Sequence, residues 1–338
     1  KLQELMEDRI NKKEQTMLFL NRRGYAGFVS CRSCGFVMKC PHCDVSLSQH
    51  LGGRMVCHYC GYETIQPKKC PSCSSPYILG FKAGTQQIEQ QLQIRFPGIR
   101  VLRMDADTTR TKDSYEKILT AFAEGEADVL VGTQMIVKGH DFPNVTLVGV
   151  LAADLSLNDS DYRAGERTFQ LLTQAAGRAG RGSKPGEVVI QTYRPDHYSI
   201  IRAAAQDYEA FYEEEVLYRE LGAYPPASHM LAVLITTPDE KRGEALADKL
   251  ASLAREEADG DKQMPKEAQK RELGQAVVIG PAKASIGKIN DIYRFVLYCK
   301  SSDYRQLTAI KDRIEQAVAL LERKDENIQF DFDPIDRY

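Results

Sequence analysis

Four Cys-x-x-Cys pairs, Cys31/Cys34, Cys40/Cys43, Cys57/Cys60 and Cys70/Cys73, place eight of the nine cysteines of this chain between Cys31 and Cys73. Such a pair turns two thiolates to one side of the backbone, and tetrahedral zinc takes four, so eight thiolates make two closed sites. His42, His50 and His58 are spare, because the thiolates already suffice. Spacing alone leaves the pairing open. A nested and a cross-braced arrangement both fit, although the thirteen residues between Cys43 and Cys57 suit a compact ribbon. Cys299 lies in an apolar strand pattern and reads as an inert core residue.

A length of 338 residues predicts two to three domains, and a hydrophobic content of 43% is enough for ordinary cores. No apolar run reaches the roughly 18 residues of a membrane span, and no signal-peptide pattern opens the chain. The first residue is Lys1 rather than Met, which fits a piece of something longer. The net charge of −2 gives no global positive field, so a nucleic-acid binder must work through local patches. One such patch lies within residues 31–80, where Arg32, Lys39, Arg54, Lys68 and Lys69 outnumber Asp44 and Glu63. Phe36, Tyr59 and Tyr62 in the same stretch offer faces for base stacking, against the plainer reading of a purely structural zinc fold.

The apolar run Thr16–Leu20 predicts a buried strand that leads into the cysteine region. After Cys73 an α/β rhythm sets in. A helix is expected from Thr85, as its cap, to Phe96, and a strand over Ile99–Arg103. Capping-box spacing at Asp113 and Glu116 precedes a further helix. Asp128–Val131, Thr146–Leu151 and Gly186–Gln191 read as strands of a parallel sheet, with a helix over Arg163–Ala176. One long amphipathic helix is predicted from His197 to Leu221, stopped at Tyr224-Pro-Pro226. Beyond it come strands at 230–235, 277–279, 293–298 and 328–332 and helices at 240–255 and 304–321. That β-α-β-β-α-β order is the ferredoxin-like split arrangement. Residues 258–275 read as a polar loop. The division expected is an α/β lobe over 1–30 and 76–200, an inserted zinc module over 31–75, and a linking helix plus an α+β domain over 201–338.

Two further motifs carry chemistry. Gln174-Ala-Ala-Gly-Arg178-Ala-Gly-Arg181-Gly182 sets two arginines three residues apart at a helix end, among small residues that let another surface approach. A rigid, permanently charged guanidinium suits a phosphate that gains charge during transfer. Val131 to Asp141 begins at the carboxyl end of a buried strand, where open α/β sheets bind ligands. There Thr133 suits a nucleic-acid phosphate, Lys138 adds charge, Gly139 permits close backbone approach and Asp141 can accept from a ribose hydroxyl. His140 has no partner cluster to make it a metal ligand or a base.

These residues carry a resemblance. Gly132 to Asp141 resembles motif V of the superfamily 2 helicases, Gln174 to Arg181 resembles motif VI, and Thr16 to Arg23 fits the motif that opens the second RecA-like lobe. Gly132 to Leu147, Arg163 to Leu171, Tyr224-Pro-Pro226 and Asp331 to Pro334, with the four cysteine pairs, are similar to the primosomal replication-restart helicases, the PriA family (primosomal protein N-prime). The resemblance spans essentially the whole chain. It implies the C-terminal half of an ATP-dependent 3′–5′ DNA helicase that restarts stalled forks and assembles the primosome. The fold it implies is a RecA-like second lobe, an inserted two-zinc module and a ferredoxin-like, ribosomal S10-like C-terminal domain.

The roles implied by that family follow residue by residue. Arg181 would be the arginine finger and Arg178 would also face the γ-phosphate. Gln174 would couple nucleotide to DNA, Gly139 and Asp141 would lie by the nucleotide, and Thr133 and Lys138 would meet the DNA backbone. One zinc would sit on Cys31, Cys34, Cys70 and Cys73 and the other on Cys40, Cys43, Cys57 and Cys60, with ATP and Mg2+ belonging to the full-length parent. Forked or single-stranded DNA, primosome proteins and single-stranded DNA-binding protein would be partners of a cytoplasmic monomer without membrane contact. The chain departs from the full pattern. It has no Gly-x-x-x-x-Gly-Lys-Ser/Thr and no acidic Mg2+ motif; Gly280 to Lys288 has six intervening residues and ends on Ile289. Alone it is therefore expected neither to hydrolyse ATP nor to unwind DNA. A zinc-ribbon module binding DNA or protein without catalysis is the alternative, and an RNA helicase lobe a weaker third.

Overall fold

A computed structural model describes residues 1–20, 29–31, 33–34, 36–49, 53–57, 59–80, 84–105, 108–109, 112–137, 141–153, 156–157, 161–260, 275–320 and 325–335. Helix α1 (Leu2–Asn11) and strand β1 (Gln15–Leu20) come first. Five short strands follow: β2 (Val29–Cys31), β3 (Ser48–Gln49), β4 (Arg54–Val56), β5 (Glu63–Ile65) and β6 (Ile78–Gly80). The α/β rhythm is α2 (Thr85–Arg95), β7 (Val101–Met104), α3 (Lys112–Ala123), β8 (Val129–Gly132), β9 (Val145–Leu151), α4 (Ala164–Ala176) and β10 (Glu187–Ile190). Next are α5 (Tyr198–Ala205), α6 (Tyr208–Gly222), β11 (His229–Thr237), α7 (Glu240–Gly260), β12 (Val277–Ile289), β13 (Ile292–Ser301), α8 (Tyr304–Ala319) and β14 (Asn327–Phe332). The chain forms two compact units: residues 1–27 with 81–215, and residues 28–80 with 216–338. Among the described residues no helix is long and apolar enough to cross a membrane.

In the first unit five strands pair in the order β10-β9-β1-β8-β7, all parallel. Every residue of β1 is buried, as are those of β8, because helices cover both faces of a parallel sheet. Gln15 is one of the polar residues buried in that core. Its amide donates to the carbonyls of Phe122 at 2.7 Å and Ala127 at 2.9 Å, so burial leaves it satisfied. One core face gathers Phe19, Phe122, Leu130, Phe142, Val150, Leu172 and Phe211; the other gathers Met6, Leu18, Leu92, Val131 and Leu147.

Three local expectations change. Gly84, not Thr85, is the N-cap residue of α2; the Thr85 hydroxyl instead donates to Asp105. Helix α3 starts at Lys112, so Asp113 lies inside its first turn. The single helix expected over 197–221 is two. Gln206 takes a left-handed φ of 54° at the end of α5, and the Asp207 carboxylate accepts from the Ala210 N–H at 3.0 Å to restart the chain as α6.

The second unit holds an antiparallel sheet in the order β12-β13-β11-β14, with α7 and α8 on one face. This is the ferredoxin-like order, and Leu231, Val233, Leu250, Leu297, Cys299, Leu307 and Ile314 form its core. Burial pushes the Cys299 thiol up to about 12, consistent with an inert core residue. Strand β12 runs thirteen residues, far beyond the expected 277–279, because register shifts between Ile279 and Ala282 and between Lys283 and Lys288 absorb a sequence with no clean alternation. Most of the polar segment expected as a loop, 261–274, falls outside the described residues. The same unit contains the cysteine-rich module, where β2 pairs with β6 and β3-β4-β5 form a small antiparallel sheet.

Phe122 has no exposed surface and meets Phe142 edge-on at 4.9 Å between centroids. Phe122→Ala is expected to destabilise the first unit by about 3–5 kcal/mol, read from the shift of its urea transition by circular dichroism. At the sheet edge burial raises the Asp128 carboxyl, but hydrogen bonds from Arg100, at 2.9 Å from its N–H and 2.5 Å from its guanidinium, hold it below the ordinary range. A depressed carboxyl stabilises the fold above its unfolded value of about 3.9 and loses that contribution as pH falls through the folded value. Asp128→Asn should therefore be less stable than wild type near neutrality, with the gap closing below about pH 4.

Candidate functional site

The four cysteine pairs share one local hydrogen bond. The N–H of the first cysteine donates to the carbonyl five residues on: Cys31 to Phe36 at 2.8 Å, Cys40 to Val45 at 2.9 Å, Cys57 to Tyr62 at 2.8 Å and Cys70 to Ser75 at 2.8 Å. Each pair is thus a closed knuckle whose two sulfurs face one point. The knuckles combine as the nested sets Cys31/Cys34/Cys70/Cys73 and Cys40/Cys43/Cys57/Cys60, with all ligand atoms of each set within 4.8 Å of one another. The cross-braced alternative is not built. Sulfur–sulfur distances are 3.6 Å for Cys31–Cys73, 3.7 Å for Cys34–Cys70 and 3.6 Å for Cys40–Cys60. They are far too long for disulfides and close to the edge of about 3.8 Å that a tetrahedron of zinc–sulfur bonds of about 2.3 Å requires.

Electrostatics point the same way. Although burial opposes it, N–H groups of Cys34 and Ser33 lower Cys31 to about 6, and those of Cys60 and Tyr59 lower Cys57 to about 7. Their neighbours go up: Cys43, mainly through burial, and Cys73, through the adjoining thiols and against the Ser75 N–H, each to about 12. Four packed thiols cannot all ionise without a cation among them. Both sets fit zinc. When bound, the ion supplies cross-linking rather than reactivity, since four thiolates leave no open position. The module depends on it: among the described residues its buried apolar side chains, apart from cysteines, are Val29, Leu47, Met55 and Ile78.

In the first unit the arginine site is built at the carboxyl edge of the parallel sheet. Gly132 ends β8; a Cβ there would stand 2.3 Å from Ile136 and 2.7 Å from the Met104 carbonyl, so only glycine lets the chain turn into the 3-10 segment Gln134–Val137. Thr133, half-buried, follows directly. Helix α4 ends at Gly177, and the Gly180 N–H donates to the Val145 carbonyl at 3.0 Å, tying the arginine loop to the start of β9. Gly180 has φ of 72°, and its Cβ would lie 2.5 Å from Gly186 N. This tether carries both arginines to Asp141. Arg181 ion-pairs with the Asp141 carboxylate and donates to the Gly177 carbonyl at 2.7 Å, while Arg178 approaches Asp141 at 3.5 Å. Arg178 is the more buried, with 14% of its side chain exposed against 39% for Arg181 and 68% for Asp141. Burial, then the charge of Arg181, lowers its pKa, with Asp141 opposing.

Two comparisons with known proteins bear on these features. The conserved helicase C-terminal domain matches residues 74–183, the PriA DNA helicase Cys-rich region residues 40–64, and the primosomal protein N C-terminal domain residues 220–335. The replication restart protein PriA of Bacillus subtilis (strain 168) is 45% identical over 335 residues, 98% of this chain and 40% of that protein. That of Synechocystis sp. is 44% identical over 90% of this chain and 36% of its own length, and that of Haemophilus influenzae 35% over 99% and 44%. The chain is homologous to the C-terminal part of PriA. It spans less than half the length of these relatives.

Of the residues singled out from sequence in this PriA homologue, the eight cysteines and the group Asp141, Arg178 and Arg181 come together. Gln174 is exposed on the last turn of α4. Lys138, Gly139 and His140 lie outside the described residues, as do His50 and His58. His42 stands outside both cysteine sets and has another use: its Nδ1 stands 2.6 Å from Asp291 and its ring meets Tyr62 edge-on. The sequence reading missed Asn290 and Asp291, which reach the second cysteine set from the far end of the chain; the only signal was a turn-forming pair between two isoleucines.

Native mass spectrometry of the purified chain is expected to show two zinc ions. Cys57→Ser should retain one, and Cys299→Ser should retain both, since Cys299 belongs to the sheet core.

Proposed function

We propose that the chain is the second motor lobe of an ATP-dependent 3′–5′ DNA helicase of replication restart, and that it works only against a first lobe that cradles the nucleotide. The observation that supports this most is the pairing of Arg178 and Arg181 on Asp141 at the carboxyl edge of a parallel sheet, the edge where such sheets bind ligands. The local sum of two guanidiniums and one carboxylate is positive. When water attacks the γ-phosphorus of ATP and ADP leaves, charge builds on the equatorial oxygens. Arg181, the more exposed of the two, swings from Asp141 to those oxygens, and Arg178, held by the fold, fixes its neighbour's approach. Thr133, at the mouth of β8, grips a DNA phosphate, Lys138 adds charge to that contact, Gly139 serves the nucleotide and Gln174 couples nucleotide to DNA. Closing and opening of the two lobes then moves the Thr133 surface along single-stranded DNA at a fork. The reading implies a cytoplasmic protein, acting as a monomer with primosome proteins and single-stranded DNA-binding protein.

The chain alone is expected to show no DNA-stimulated ATP hydrolysis. In a longer protein carrying both lobes, Arg181→Ala should lower kcat about a thousandfold while leaving nucleotide affinity nearly intact. A loss confined to affinity, or forked DNA stimulating no better than RNA, would count against the reading.

A zinc-ribbon DNA contact without catalysis is favoured by one feature. Lys39, Arg54, Lys68 and Lys69 are exposed in the ribbon beside Tyr59 and Tyr77, which are 54% and 63% exposed. Binding of single-stranded DNA that weakens steeply with salt and is indifferent to ATP would express it.

A further inference from the structure

The two cysteine sets differ in what surrounds them. In the first, Cys34 and Cys73 are exposed; in the second, Cys40, Cys43 and Cys57 are buried and Cys60 is partly so. The second set is closed by the tip of the β12–β13 hairpin, within the same compact unit but about 250 residues away in sequence. Ile289 pairs with Ile292, so the loop is the two residues Asn290 and Asp291, with φ of 50° and 59°. That is a tight hairpin turn with both residues left-handed.

The turn grips the whole knuckle from Pro41 to Asp44. The Asn290 N–H donates to the Cys43 sulfur at 3.2 Å. The Asp44 N–H donates to the Lys288 carbonyl at 2.9 Å, and the Asp291 N–H to the His42 carbonyl at 2.9 Å. Lys288 Nζ reaches the Pro41 carbonyl at 3.0 Å, and the Asp291 carboxylate meets His42 at 2.6 Å. Ile289 packs against the cysteine core.

We infer that the Asn290–Asp291 turn is the outer cap of the second zinc site, so that the chain holds one slowly exchanging zinc at Cys40/Cys43/Cys57/Cys60 and one freely exchanging zinc at Cys31/Cys34/Cys70/Cys73. An N–H aimed at a bound thiolate withdraws charge from the sulfur and disfavours its protonation and its departure from the metal. The packed turn also denies a chelator the approach it needs. At the first site the N–H groups that reach Cys31 and Cys73 come from within its own knuckles, from Ser33, Cys34 and Ser75, and two of the four sulfurs meet solvent. Asn290 and Asp291 act through Cys43 and His42 and are positioning residues.

The test is zinc release from the intact chain to a chromogenic chelator, with cysteine alkylation mapped by mass spectrometry along the time course. Two phases of equal amplitude are expected, with alkylation of Cys31, Cys34, Cys70 and Cys73 in the fast one. Asn290→Val, which puts a β-branched residue in a left-handed turn and displaces the N–H, should speed the slow phase about tenfold and leave the fast phase unchanged. Asp291→Ala, which deletes the carboxylate that holds His42 and keeps the backbone N–H, should speed the same phase. Asn290→Gly keeps both the N–H and the turn and should match wild type. In the cobalt-substituted protein, Asn290→Val should shift the thiolate-to-metal charge-transfer band of one ion of the two, which looser packing alone would not do. A single release phase, a slow phase that exposes the first cysteine set, or a slow phase indifferent to both variants would overturn the inference. A stoichiometry below two ions would instead overturn the zinc assignment itself.

Discussion

The first unit depends on a pairing that sequence order makes awkward. Strand β1 is the centre of the parallel sheet, yet its neighbours β8 and β9 lie more than 100 residues further along the chain. All six of its residues are buried, so its backbone groups must be paired by those distant strands or not at all. Only once β8 and β9 have closed on it do their carboxyl ends stand together, and the arginine site stands at those ends. Thr133 follows β8, Asp141 precedes β9, and Gly180 is bonded to the first residue of β9. The site is therefore a consequence of register: slipping β9 by one residue would move the Val145 carbonyl and with it the loop that holds both arginines.

The cysteine module solves the opposite problem. It has little apolar surface to bury, so eight thiolates in two clusters replace a core. Its repeated hydrogen bond, first cysteine to the carbonyl five residues on, shapes each knuckle to offer two sulfurs to one ion. The clusters then favour a divalent cation because neighbouring thiols oppose one another's ionisation. The pushes on Cys43 and Cys73 to about 12, beside Cys31 near 6 and Cys57 near 7, are what a cation would relieve.

Much of this was legible before any coordinates. Continuous apolar runs announced β1, β8 and β9, because strands covered on both faces need no alternation, and Cys-x-x-Cys spacing announced the knuckles. The nested pairing came only with the family resemblance, since spacing permits more than one arrangement. What sequence obscured has physical causes. Gln206 and Asp207 read as helix interior because neither breaks periodicity, although one takes a left-handed turn and the other caps the next helix. Strand β12 hid behind register shifts that scramble its alternation. The grouping of residues 28–80 with 216–338 in one compact unit, and the hold of the Asn290–Asp291 turn on Cys43, are long-range events that no local window contains.

The arginine site and the capped zinc share one electrostatic logic. In each, a charge the protein keeps is held by a partner whose accessibility sets what can replace it. Asp141 is the most exposed member of its group, so the ion pair with Arg181 is screened by solvent and weak, and a more highly charged anion competes with it on favourable terms. Arg178, with little exposed surface and a pKa lowered by burial and by Arg181, has less solvation to lose when an anion arrives and more to gain from it. At Cys43 the balance is reversed: the accepting sulfur is buried, and the Asn290 N–H that reaches it is held by a turn hydrogen-bonded along the knuckle, so solvent does not displace it cheaply. One charge pair is built to exchange partners and the other to keep them, and the difference lies in exposure rather than in residue type.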